Sequence, residues 1–123
     1  MLAHGTVSFS WEKDLFIVYV NGPFNVEGIA HYSSLIQDSI LNRKNSSWRR
    51  LEILNDEALS SPDGIDLVIK MYTWYEENGC NCAAVVVSNR VQANIFESKF
   101  NQKIKVFSEI TKAKEWLETH NTY

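Results

Sequence analysis

Two unbroken apolar runs, Leu15–Val20 and Cys82–Val87, stand far apart in the chain. Much of what lies between them repeats at helical spacing. A strand with no polar face has to be covered on both sides, so such runs belong in the middle of a layered α/β sheet. This constrains the chain more than any motif it contains.

The remaining elements follow from periodicity. Thr6–Trp11 alternates polar and apolar residues, the mark of a half-buried strand. Glu12-Lys13-Asp14 joins it to Leu15–Val20 as a tight polar turn, so the first two strands form a hairpin. Asn21-Gly22-Pro23 ends the second strand, because proline cannot continue a ladder. Asn25 then caps a helix carried by Val26, Ile29, Ser33, Ile36 and Ile40, which fades between Asn42 and Asn45. A short strand centres on Leu51–Leu54. Residues Asn55 to Pro62 read as a loop, and a second helix starts at Asp63, with Ile65, Val68 or Ile69, Tyr72 and Tyr75 on its face. Gly79 suits the left-handed position that closes it. After Cys82–Val87, Ser88-Asn89 caps a helix through Val91, Ile95 and Phe96. Ile104–Phe107 is the last strand, and Ser108 caps a final helix bearing Ile110, Ala113, Trp116 or Leu117, and His120. The order β-β-α-β-α-β-α-β-α gives a five-stranded, mostly parallel sheet with one antiparallel edge strand and four helices around one core.

At 123 residues the chain fits one domain, residues 1–123. Its 12 basic and 15 acidic residues leave a net charge of −3, too slight an imbalance to suggest a nucleic-acid coat. No stretch reaches the roughly 18 apolar residues of a membrane span, so no stable membrane insertion is expected. The opening residues lack the basic start and apolar core of a signal peptide. Cys80 and Cys82 stand too close together for an ordinary bridge, and reduced thiols fit a cytoplasmic location.

Two phrases carry a family resemblance. Leu15–Asn25 is a strand followed by a Gly-Pro-Phe-Asn turn. Val106–Leu117 reads Val-Phe-Ser-Glu-Ile-Thr-Lys-Ala-Lys-Glu-Trp-Leu, a last strand, a serine and a terminal helix with a tryptophan-leucine pair. Together with the element order they resemble the STAS-like domains related to the bacterial anti-sigma-factor antagonist SpoIIAA, and the SpoIIAA-like relatives of uncertain function. The resemblance spans nearly the whole chain and implies action through protein contacts or, among the SpoIIAA-like relatives, a likeness to lipid-binding modules. It also implies a place for a phosphoserine switch, in an Asp-Ser-Ser-Gly phrase at the start of the helix after the third strand. If Asp63 matches that aspartate, Gly64 and Ile65 occupy the serine positions, and neither accepts phosphate. Ser60 and Ser61 lie before the helix. The switch is therefore expected to be absent.

The candidate interaction residues fall in two groups. Asn25, Asp56, Glu57, Ser60, Ser61, Asp63, Asn89 and Arg90 gather where parallel strands end and helices begin, the usual ligand side of an open sheet. Helix amides there can meet a polar or anionic partner. The same side chains can equally serve as helix caps, and the acidic residues weigh against an anion. Trp74 and Tyr75 are neighbours on one helix; one enters the core and the other reaches its rim, where with Tyr72 and Met71 it can form an apolar partner surface.

Other features offer less. Arg43-Lys44 and Arg49-Arg50 flank Trp48, a pattern that touches phosphate groups in some proteins and is otherwise a solvated helix-to-strand connection. Cys80-Asn81-Cys82 sets both thiols on one side if its strand begins early. His4, His31 and His120 show no metal spacing, and neither a glycine-rich phosphate loop nor a nucleophile elbow is present. The expectation is a noncatalytic regulatory or protein-interaction module, without a cofactor or metal, whose partner is a protein or a second copy of itself. A carrier or sensor of a small apolar or lipid-like ligand is the alternative, and an enzyme built on Asp56, Glu57 and Asp63 ranks last.

Overall fold

Seven-residue strands β1 (Thr6–Glu12) and β2 (Leu15–Asn21) form the antiparallel hairpin, with Lys13 in its turn at φ 56°. The computed structural model describes residues 2–43, 47–59, 61–100 and 103–120. Beyond the hairpin come α1 (Val26–Asn42), β3 (Trp48–Leu54), α2 (Pro62–Glu77), β4 (Cys80–Val86), α3 (Arg90–Lys99), β5 (Ile104–Phe107) and α4 (Ile110–Thr119). The element order is the one expected from the sequence.

The sheet runs β1-β2-β3-β4-β5, parallel from β2 onward, with β1 as the antiparallel edge. A sheet laid down strand by strand in one direction, through crossovers of one hand, places every crossover helix on the same face. Helices α1, α2 and α3 therefore share one side, and α4 alone returns over the other. The interior is accordingly two clusters and not the single core expected. The larger holds Phe16, Val18, Ile36, Ile40, Trp48, Tyr72, Tyr75, Val85 and Phe96. The smaller gathers Ile17, Leu51, Ala84 and Val86 under Ala113 and Leu117 of α4. One helix cannot cover five strands, which is why β1 keeps its polar alternation and Tyr19 stays exposed on that side.

Local details differ from expectation in physically clear ways. Helix α2 starts at Pro62, one residue early, since proline at the first helical position lacks only an amide that would be unpaired anyway. Ser61 is its cap. Helix α4 is capped by Glu109 without a side-chain hydrogen bond, so Ser108 does not have the role assigned to it. Phe96 of α3 is buried as expected, but Val91 is exposed and Gln92 is buried in its place. Strand β4 begins at Cys80, but Trp48 pairs with Cys80 and Arg49 with Cys82. Asn81 is thus an extra residue, and a bulge reverses the alternation. Cys80 packs in the larger cluster and Cys82 against the smaller one, on opposite faces of the sheet.

The basic cluster is the main correction. Trp48, Arg49 and Arg50 are all buried, as the first residues of the central strand. They form neither a solvated connection nor a phosphate-facing patch. Arg43 lies over the Trp11 ring, its guanidinium carbon 4.0 Å from the centroid, and Lys44 lies outside the described residues.

Candidate functional site

The carboxyl ends of β2, β3 and β4 come together with the starts of α1, α2 and α3, as the topology requires. Each helix has a side-chain cap there. The Asn25 Oδ1 accepts from the Gly28 amide at 2.8 Å, Ser61 Oγ from Gly64 at 3.1 Å, and Asn89 Oδ1 from Gln92 at 2.9 Å. The remaining polar atoms turn on one another. Asn25 also accepts from the His4 amide and donates to the Leu2 carbonyl. Asn89 Nδ2 donates to the Asp56 carbonyl, and Asn55 bonds Gly22 and Glu57. Gln92 closes the rim, accepting from the Ser88 amide at 2.8 Å and donating to the Asn55 carbonyl at 2.6 Å.

The rim residues are therefore brought together, but largely as a self-satisfied hydrogen-bond frame. Asp56, Glu57, Asp63 and Arg90 are exposed around it. Ser60 lies outside the described residues. Among the described residues no three His, Cys, Asp or Glu side chains converge as metal ligands.

Trp74 and Tyr75 diverge. Trp74 is half-buried and lines a groove of about 420 Å³ between α1 and α2, with Ile29, Ser33, Lys70 and Met71. Tyr75 is buried in the larger cluster, so it offers no outer surface. Beneath the groove lies a second space, a cavity of about 50 Å³ between the sheet and the α1–α2 pair. Its walls include Val18, Leu54, Val68 and Ala58, and Ile29 and Met71 line both cavity and groove.

The atoms that face this cavity are almost all apolar. Glu52 of β3 lines it at 5% exposure, together with Tyr72 and Tyr75 of α2. Arg50, two residues before Glu52 and so on the same face of the strand, is 1% exposed. Its guanidinium carbon lies 4.2 Å from the Tyr72 ring centroid and 4.4 Å from that of Tyr75, a double cation–π arrangement. The Arg50 Nε stands 3.6 Å from the Glu52 Oε1, near enough to neutralise the pair but too long for a hydrogen bond. Among the described residues, neither Arg50 Nε nor the Tyr72 hydroxyl has a hydrogen-bond partner. Burial pushes the Glu52 carboxyl above its ordinary range, with Arg50 opposing. It likewise raises the Tyr75 phenol, and the Cys80 thiol to about 11.

Arg50, Glu52 and Tyr72 as a polar cluster are what sequence reading missed. A signal existed: two opposite charges at i and i+2 share a strand face, here in a segment flanked by Leu51, Ile53 and Leu54. Charged residues facing a core must find one another there.

No family model matches the sequence, and no curated protein matches it. Solved structures do. The NMR structure of the protein TM1081 is similar with a TM-score of 0.67 at 17% identity, over 89% of this chain and 86% of that one. An uncharacterized protein of the DUF3478 family from Shewanella loihica PV-4, described as having a SpoIIAA-like fold, is similar with a TM-score of 0.58 at 13% identity. That match covers 95% of this chain and 96% of the other. Likeness at such identities is likeness of fold and leaves activity to be argued from the site. With its single antiparallel edge strand, its parallel remainder and its four helices, the chain has a SpoIIAA-like fold.

Proposed function

We propose that this chain is a noncatalytic binding module that takes a small apolar or lipid-like ligand between the sheet and the α1–α2 pair. The observation carrying this reading is the cavity itself, whose apolar walls between sheet and helices suit a hydrocarbon group. At about 50 Å³ it is about a third of the ~150 Å³ engineered cavity that accepts benzene, so it holds only the end of a ligand. The rest of the molecule passes between Ile29 and the flexible Met71 into the α1–α2 groove. The strand-end rim, in this reading, is the frame that fixes the helix starts. Asp56, Glu57 and Asp63 stand exposed around it, an arrangement unsuited to acid–base chemistry in a closed cleft.

A regulatory module that docks a protein partner or a second copy of itself is the second reading. It draws on Trp74 in the α1–α2 groove and on Leu41 of α1, which flanks that face of the helix at 60% exposure. A cytoplasmic location belongs to the same proposal. It is supported by two free cysteines and by the absence, among the described residues, of any helix long and apolar enough to cross a membrane.

Native mass spectrometry of protein purified gently from its own cells separates the two readings. A retained small molecule, lost from an Ala58→Leu variant that fills the cavity, is the expected result. A homodimer or protein complex carrying no adduct, with nothing released on solvent extraction, would sink the ligand reading in favour of the docking one.

A further inference from the structure

The two edges of the sheet differ. Strand β5 is four residues long and bears the exposed Lys105, the short, charged kind of edge that resists further pairing. Strand β1 spans seven residues with neither lysine nor proline, and its register with β2 runs from Thr6 to Glu12 without a bulge. Which of its backbone groups are free follows from the hairpin. Glu12 pairs with Leu15 across the two-residue turn, so Glu12, Ser10, Ser8 and Thr6 exchange hydrogen bonds with β2. The other residues of β2 face β3, as the Asp14 and Val20 carbonyls show by accepting from the Arg49 and Asn55 amides. The N–H and C=O groups of Val7, Phe9 and Trp11 therefore point away from the sheet. Among the described residues nothing pairs with them.

We infer that this edge pairs with the same edge of a second copy of the chain, antiparallel, about a two-fold axis at Phe9. That register uses all of the free groups: Phe9 meets Phe9 of the other copy, and Val7 meets Trp11. The side chains agree with it. On the open face Ser8 falls opposite Ser10 and Thr6 opposite Glu12, so polar residues meet polar ones. Glu12 carries the strand's charge, and it stands about 20 Å from its counterpart, the length of strand from Thr6 to Glu12. No like charges meet.

A second observation points to the same partner. The Trp11 indole donates to Ser39 Oγ at 3.1 Å, and Tyr32 shares a cavity wall with Val7. The side of α1 that carries Tyr32, Leu35 and Ser39 thus lies over this edge, and Leu35 is 43% exposed there. The two-fold sets both α1 helices on one face of the joint sheet and turns each Leu35 toward the other helix. A foreign strand would use the same backbone groups but leave Leu35 uncovered. The α1–α2 groove opens on the other flank of α1, through Ile29, Ser33 and Gln37, so a ligand in the cavity neither requires nor prevents this dimer.

The test joins sedimentation equilibrium of the full chain to hydrogen exchange at the edge. The unmodified chain is expected to dimerise between micromolar and millimolar concentration, with exchange of the Val7, Phe9 and Trp11 amides slowing in step. Ser8→Lys and Ser10→Lys together set like charges opposite one another at exposed positions, and should weaken the dimer by about tenfold. A chain carrying Ser8→Glu and Ser10→Glu should be weakened likewise, and mixing the two altered chains should restore dimers. A chain that stays monomeric at millimolar concentration overturns the inference. So does a dimer that neither double variant weakens, or a pair of weakened chains that do not recover on mixing. Protection of the three amides only in extract of its own cells, with the pure chain monomeric, would assign the edge to a foreign strand and overturn the second copy. The concentration series needs only the unmodified protein, so it stands even where a variant folds poorly.

Discussion

Arg49 grips both carboxylate oxygens of Asp14, its Nε 3.0 Å from Oδ2 and its Nη2 2.8 Å from Oδ1. Its Nη1 reaches the Leu117 carbonyl in the last turn of α4 at 2.7 Å. The backbone repeats the connection, with the Arg49 amide donating to the Asp14 carbonyl at 2.9 Å. One planar fork thereby ties the hairpin turn, the central strand and the C-terminal end of α4 on the opposite face of the sheet from α1–α3. It also adds a short second bond to a helix-end carbonyl that the His120 amide reaches only at 3.3 Å.

Lysine cannot reproduce this fork, because a single ammonium is a point donor without the planar spread. Arg49→Lys is expected to lower stability by about 2–3 kcal/mol, as losing part of a buried charged network does. Hydrogen exchange should accelerate first at the amides of Ala113 and Leu117. Uniform acceleration through the sheet and α4 alike would contradict the idea that Arg49 holds α4 in place.

Asp14 and Glu52 predict opposite pH dependences. The hydrogen bonds from Arg49 hold Asp14 below its ordinary value of 3.8, so its contribution is present above that value and is lost as pH falls through the folded pKa. Burial raises Glu52 above its ordinary 4.5, so the folded state binds that proton more tightly than the unfolded chain does. Its contribution is complete below 4.5 and is lost as pH rises through the raised folded pKa. Urea midpoints measured from about pH 3 to pH 8 should show both limbs. Asp14→Asn should flatten the acid limb, and Glu52→Gln the upper one. An upper limb unchanged by Glu52→Gln would show that Glu52 is not its source.

The family resemblance implies that Gly64 stands where a phosphoserine switch would have a serine. A Cβ there would stand 2.8 Å from Ser61 Oγ and 3.0 Å from Ile29 Cδ1. The residue is buried within the first turn of α2. Gly64→Ser is therefore expected to cost about 1–3 kcal/mol through overpacking at the cap. It should also resist phosphorylation by an antagonist-type kinase in the folded state. Stoichiometric phosphate on that serine without unfolding would refute the steric account.

The bulge at Asn81 gives the two thiols separate fates. Cys80 is buried with its thiol pushed up to about 11, while Cys82 is half-buried on the other face. The thiolate is the reactive form, so a thiol reagent near neutral pH should modify Cys82 first and Cys80 only as fast as the fold opens. Peptide mapping after timed alkylation reads the order. Ready formation of a Cys80–Cys82 disulfide under mild oxidant would show that the bulge does not separate them.

The elements were legible because their signals are local. Period two in Thr6–Trp11, helical spacing from Ile29 to Ile40, the Asn25 cap and the left-handed Gly79 depend on neighbours within a turn or two. The rim caps were legible for the same reason, though not that they satisfy one another. Where local signals competed, small errors followed: Ser108 looks as good a cap as Glu109 from sequence, and which one serves depends on where β5 releases the chain.

What the sequence by itself determined was the order and type of elements and the single antiparallel edge. Only the tertiary structure decided that Arg49, Arg50 and Glu52 are interior residues. A buried charge is permitted by partners that lie far away in the chain: Asp14 and Leu117 for Arg49, Tyr72 and Tyr75 for Arg50. Local pattern reads charge as solvent-facing, because it carries no record of what the fold brings alongside. The bulge that parts Cys80 from Cys82 and the cavity beside Glu52 belong to the same class, set by the packing of strands and helices against one another.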